Sequence, residues 1–203
     1  MKFIEFQEKF KDRVLIDLRE VAGVFADFDH RRIYEWQKRG YIKKLINNFY
    51  VFAKKDFTQA EVSFIANKLV EPSYISLESA LRYYNLIPET VYLNTCITTR
   101  KTRMIKSAVG NFQYRSLKKE LFFGYKLVNQ DALVYRIAEP EKAVLDFLYL
   151  RADIKSLDAL KELRLNQDEW GRQIDKKKIE AYARVFESRA LFDKLKKFNR
   201  IMI

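Results

Sequence analysis

The chain has 203 residues, 48% of them hydrophobic, with five Gly and three Pro; that suffices for one large domain or two small ones and leaves little room for linkers. With 39 Lys+Arg against 27 Asp+Glu, its formal net charge of +12 favours a polyanionic partner such as DNA, RNA or an anionic surface. One Cys, Cys96, and one His, His30, exclude an intrachain disulfide and a thiolate metal cluster, and offer no basis for a zinc site or a His-based nucleophile.

Phe3, Phe6 and Phe10 recur at spacings of three and four, as on one face of a short helix. Val14–Leu18 reads as a short extended segment or as the start of a second helix running to about Gly23. Asp29 is placed to cap a third helix through Arg39, with Ile33 and Trp36 inward and Gly40 as its stop. Two apolar and aromatic strands, Tyr41–Leu45 and Phe49–Phe52, flank Asn47-Asn48, and Asn tolerates the positive φ of a tight hairpin. Lys54-Lys55-Asp56 marks a boundary.

Thr58 and Glu61 form a capping box that opens a helix to about Val70, with Val62, Ile65, Ala66 and Leu69 inside. Pro72 breaks it, and an extended entry leads to Ser76, placed to cap a helix over Leu77–Tyr84. The buried stripe of that helix is Leu77, Ala80, Leu81 and Tyr84. The runs Val91–Thr99, Asn111–Leu117, Leu121–Val128 and Ala132–Ala138 predict strands of one antiparallel or mixed sheet. Pro140 starts a helix through about Leu150. Ser156–Leu163, Asp175–Phe186 and Ser188–Phe198 read as helical, and no internal repeat is present.

Helix, helix, basic helix and two-stranded hairpin within residues 1–57 is the order of a winged helix, in which the third helix enters the major groove and the hairpin lies beside it. Arg31, Tyr34 and Lys38 share the outward side of the third helix, flanked by Arg32 and Arg39; Lys43, Lys44, Asn47 and Asn48 fall on or near the wing. Arg can fork onto guanine, while Lys holds phosphate. The expected partner is double-stranded DNA. The expected fold class is α+β: a winged-helix domain over residues 1–57, then a larger α+β domain with a helical C-terminus over 58–203, each with its own apolar stripe.

A second basic set, Arg100, Lys101, Arg103, Lys106, Arg115, Lys118 and Lys119, reads either as a second polyanion contact or as charged loop and strand ends. Glu139, Glu141 and Asp146 near Lys142 lack nuclease spacing, and Lys142 with Asp146 reads as an ordinary surface i, i+4 pair. The expectation is therefore no enzyme, no metal and no cofactor. No apolar run approaches the roughly 20 residues of a membrane span, and Met1-Lys2-Phe3-Ile4-Glu5 has no signal-peptide character; the expected address is the cytoplasm, with no membrane partner.

The run Pro72-Ser73-Tyr74-Ile75-Ser76-Leu77-Glu78-Ser79-Ala80-Leu81 resembles the signature of AbiEi-type antitoxins, of the type IV toxin–antitoxin and abortive-infection systems. Three other segments are similar to that family: Tyr34–Ile42 to its recognition helix and wing, Asn94–Thr99 to a Thr-rich strand, and Glu139–Asp146 to a Pro-Glu-Lys-Ala helix start. Where the family's wing carries Gly before its Tyr, this chain has Asn48-Phe49-Tyr50. The resemblance covers about residues 15–150. It implies a transcriptional autorepressor that binds double-stranded operator DNA and antagonises a nucleotidyltransferase toxin without requiring a stable complex. The alternatives are a winged-helix transcription regulator whose larger domain binds an effector, and an RNA-associated accessory protein whose basic residues 100–119 form one face.

Overall fold

A computed structural model describes residues 2–53, 56–88, 93–151, 153 and 164–202. It has a mixed α+β fold with a three-stranded and a six-stranded sheet. The expected boundary residues Lys54-Lys55, the start of the strand expected from Val91, and the helix expected over Ser156–Leu163 lie outside the described residues.

The phenylalanine periodicity gives α1 (Phe3–Phe10), which buries Phe6 and Phe10. Both readings of the next segment hold. Ile16–Asp17 is a short strand, β1, and Asp17 then caps α2 (Leu18–Val24) by accepting the Arg19 N–H. The carboxylate of Asp29 accepts the Arg31 N–H at 2.9 Å and so caps α3 (Arg31–Lys38), which buries Ile33 and Trp36. Gly40, at φ 71°, turns the chain into the hairpin of β2 (Ile42–Ile46) and β3 (Phe49–Phe52). Asn48 supplies the left-handed residue of its turn, at φ 69°.

Strand β3 is central in the sheet order β1-β3-β2, and both pairings are antiparallel. Ile16, Ile42 and Tyr50 pack with Phe6, Phe10, Val21, Ile33 and Trp36. Leu45 and Val51, with Val14, instead join the hydrophobic core of the larger part. The hairpin therefore belongs to two cores at once.

The capping box at Thr58 is complete: its N–H donates to Glu61 Oε2 at 3.0 Å and its Oγ1 accepts the Glu61 N–H at 3.3 Å. It starts α4 (Gln59–Leu69). Then come β4 (Ser73–Ile75), α5 (Leu77–Tyr83), β5 (Leu93–Thr98), β6 (Arg103–Ser107), β7 (Gly110–Ser116), a 3-10 turn at Lys119–Leu121, β8 (Tyr125–Gln130), β9 (Leu133–Ala138) and α6 (Pro140–Leu150). The sheet order is β6-β7-β5-β4-β9-β8. It is mixed: β4 with β9 and β5 with β7 are parallel, and the other pairings antiparallel.

By register Ile75, Cys96, Tyr114 and Ile137 share one face of this sheet. Helix α4 covers it, and the Tyr114 hydroxyl donates to the Ala66 carbonyl at 2.7 Å. Tyr74 and Ile97 point to the opposite face, where Tyr74 meets α6. Pro140 sits in the first turn of α6, as expected. The C-terminal helices α7 (Gln167–Gln173), α8 (Lys176–Val185) and α9 (Arg189–Ile201) bury Trp170, Ile179, Phe186, Leu195 and Phe198 in the same core. Lys194 donates to the Leu148 and Arg151 carbonyls at 2.8 and 2.6 Å, satisfying the end of α6.

Candidate nucleic-acid interface

With Ile33 and Trp36 buried, the helical period turns Arg31, Tyr34 and Lys38 outward, as the spacing implies. Tyr34 is 73% exposed. It borders a groove shared with His30 and, across from α3, with Lys44, Asn47 and Asn48 at the hairpin turn; Leu18, Ile33 and Tyr50 line its inner side. The structure thus brings Tyr34, Lys44, Asn47 and Asn48 together. His30 joins them, although sequence reading set it aside; its ring stands edge-on to Phe28, with centroids 5.4 Å apart.

The remaining predicted contacts are arranged differently. Arg31 is held by Asp29 at 3.1 Å and Arg32 by Glu35 at 3.1 Å. The Arg31 guanidinium beside it, together with the backbone N–H it accepts, keeps the Asp29 carboxyl below its ordinary range. Lys38 and Arg39 are exposed at the end of α3. Lys43 lies opposite Val51 and Lys44 opposite Tyr50, so period-two alternation puts the two lysines on different faces of the hairpin. Only Lys44 borders the groove.

The second basic set does not form one face. Arg103 lies opposite Tyr114, so its neighbour Arg115 falls on the other face of the sheet, where it donates to the Leu150 carbonyl at 3.4 Å. Arg100 donates to the Glu71 carbonyl at 3.3 Å. Arg100, Lys101, Arg103, Lys118 and Lys119 gather at the end of the sheet where β5 and β7 finish and β6 begins, while Lys106 lies toward the other end of β6.

The surface reading of Lys142 and Asp146 is corrected: both side chains are fully buried. Lys142 Nζ donates to Asp146 and, at 2.9 Å, to the Tyr74 hydroxyl. Asp146 Oδ2 accepts from the Tyr74 and Ser76 hydroxyls, each at 2.9 Å. The ammonium lies 4.9 Å from the Phe186 ring centroid and 5.1 Å from that of Phe123, an arrangement that partly offsets its lost hydration. Burial pushes the Lys142 ammonium down and the Asp146 carboxyl up, and each partner's charge opposes that shift.

Ser76 is corrected with it. Its hydroxyl serves Asp146 and makes no cap bond to α5. Helix α5 is anchored instead by Ser79, whose N–H donates to Thr95 Oγ1 at 3.0 Å and whose Oγ accepts the Thr95 N–H at 2.8 Å. The hydroxyls of Tyr74, Ser76, Ser79, Thr95 and Thr98 are thus committed to hydrogen bonds within this part, whereas Ser73 Oγ is buried without a partner.

The other acidic residues near α6 hold the tail. Glu139 accepts from the Tyr182 hydroxyl at 2.6 Å and pairs with Lys178 at 3.0 Å; Glu141 accepts the Asp175 N–H at 3.0 Å. Among the described residues no group of three or more His, Cys, Asp or Glu could hold a metal ion, and no helix is long and apolar enough to cross a membrane. No protein-family model matches the chain, and no match to a curated protein reaches significance.

Proposed function

We propose that this protein is a DNA-binding antitoxin of the AbiEi type. Its N-terminal part acts as a winged helix on operator DNA, represses its own operon in the cytoplasm, and has no catalytic centre. The observation that carries the DNA reading is the groove between α3 and the hairpin turn, where Tyr34, Lys44, Asn47 and Asn48 converge beside a helix whose outer side is basic. In this reading α3 enters the major groove, and Lys44 and the Asn47-Asn48 turn follow the adjacent phosphates. Antagonism of a nucleotidyltransferase toxin rests on the resemblance of the Pro72–Leu81, Asn94–Thr99 and Glu139–Asp146 segments, and belongs to the larger part.

The local pairing of Arg31 does not withdraw it from base reading. An exposed ion pair contributes about 0–1 kcal/mol, whereas a bidentate base contact is worth about 1–3 kcal/mol. Asp29 therefore holds the fork until a guanine replaces it. The test is binding of the full chain to the DNA upstream of its own reading frame across a salt series. About six phosphate contacts give a log–log slope on the order of −5. Arg31→Ala should cost roughly 1–3 kcal/mol on the cognate site alone, and Lys44→Ala should weaken every sequence alike. A salt-independent affinity, or one untouched by Tyr34→Ala and Lys44→Ala, refutes the interface. Growth rescue on co-expression with a nucleotidyltransferase encoded beside it tests the antitoxin role; no rescue removes it.

A further inference from the structure

Helices α4 and α5 border a recess of about 200 Å3 whose inner side includes Ile75 and Ile137. These two residues pair across the parallel strands β4 and β9 and are 4% and 1% exposed, so that side is apolar and fixed. Gln59 and Ser63 line it from α4, one turn apart, and Arg82 and Tyr83 from α5. The Tyr83 ring is braced edge-on by Tyr84, with centroids 5.0 Å apart.

Ser79 and Asn94 also line the recess, with their side chains committed to Thr95 and to the Asn111 carbonyl; three other polar side chains are not so committed. Ser63 is 5% exposed, and its hydroxyl makes no hydrogen bond with any described residue; neither does the Gln59 amide, and Arg82 has no carboxylate partner among the described residues. An exposed guanidinium with no carboxylate partner among the described residues, beside an amide, a hydroxyl and an aromatic ring and above two isoleucines, suits a molecule with an anionic group and an apolar body. The volume is below the ~300–1,000 Å3 of drug-sized sites, so that molecule is small.

We propose that this recess binds a small organic oxyanion with a short flat apolar body. The oxyanion pairs with Arg82, the body lies on Ile75 and Ile137 against Tyr83, and a polar edge meets Ser63 and Gln59. The site lies wholly within the larger part, so it stands or falls independently of the DNA reading.

The experiment titrates the full chain with benzoate, phenyl phosphate, benzamide and inorganic phosphate, following backbone amide shifts. Benzoate or phenyl phosphate should saturate at millimolar concentrations, with the largest shifts at Ser63, Ser79, Arg82 and Asn94. The stronger of the two identifies a carboxylate or a phosphate ester as the natural group. Benzamide lacks the charge and inorganic phosphate lacks the body, so each should bind roughly ten-fold more weakly or worse. Arg82→Gln, at an exposed position, should weaken the anion by about ten-fold or more, and Ser63→Leu should fill the recess and abolish binding. No saturable binding of either anion, or binding unchanged in Arg82→Gln, overturns the assignment.

Discussion

Among the described residues Lys142 and Asp146 are the one ion pair with both side chains fully buried, so neither group has access to water. Their attraction, the two hydroxyl donors and the surrounding rings oppose a desolvation penalty of several kcal/mol per ion. Removing one partner leaves the other unmatched, so Asp146→Asn should destabilise the protein by about 3–5 kcal/mol in urea unfolding. The double change Lys142→Met with Asp146→Leu should cost less than either single change, since no charge is left buried. An Asp146→Asn protein within ~1 kcal/mol of its parent would show that the pair does not hold this core. Sequence reading missed the burial because an i, i+4 Lys–Asp spacing is what an exposed helix also carries. The available signal was the company they keep: Ala143, Val144, Leu145, Phe147 and Leu148 leave α6 apolar nearly all round, the mark of a central helix.

Elements with a chemical start signal were legible: the Thr58 capping box, Pro140 at the first turn of α6, and Asp175 and Ser188, which accept N–H bonds at the starts of α8 and α9. Strand β6 was not legible. Only Ile105 in it is buried, and Arg103, Met104 and Lys106 face solvent, as suits an edge strand that discourages further pairing. The run Leu121–Val128 read as one strand, but it divides into the end of a 3-10 turn and the start of β8. Gly124 stands between them at φ 67°, where an added Cβ would lie 2.9 Å from Tyr182 Cε2. The candidate contact residues of α3 were legible from helical period; which of Lys43 and Lys44 faces the groove followed only from strand register. The tail carried no readable purpose, and its docking onto α6 is electrostatic as well as apolar. Burial alone would raise the Glu139 carboxyl, but the Tyr182 hydroxyl and Lys178 outweigh it and hold it below its usual value. A depressed folded pKa contributes stability above the unfolded value of about 4.3 and loses it as pH falls through the lower folded value. Glu139→Gln should therefore cost on the order of 1 kcal/mol at neutral pH, and its deficit should vanish in acid. A deficit that stays constant from neutral pH down through that window would mean that the carboxylate does not clamp α8.

At the scale of the whole molecule, the three-stranded sheet joins its two parts. One face carries Ile16, Ile42 and Tyr50 against α1–α3, and the other presents Leu45 and Val51 to the core that holds α4 and the large sheet. A cleft bordered by Arg19, Lys68 and Glu71 runs along this junction, with Lys68 and Glu71 paired at 3.1 Å. Its exposed ion pairs contribute little, so the coupling falls to the apolar residues. Truncating a buried leucine to alanine costs about 2–5 kcal/mol, a large share of the stability of an ordinary domain. Such a seam predicts that the part bearing the groove and the part bearing the large sheet unfold together. The two tryptophans report on them separately, because Trp36 lies in α3 and Trp170 in α7. In Trp36→Phe, fluorescence follows only the larger part, and in Trp170→Phe only the N-terminal part, while circular dichroism follows the whole chain. Within each variant the fluorescence and dichroism curves in urea should coincide, as two-state unfolding requires. Leu45→Ala should lower both midpoints together. If the Trp36 signal is lost at lower urea than the dichroism, or if Leu45→Ala moves only one of the two, the seam does not couple the parts, and the N-terminal segment folds as a domain of its own.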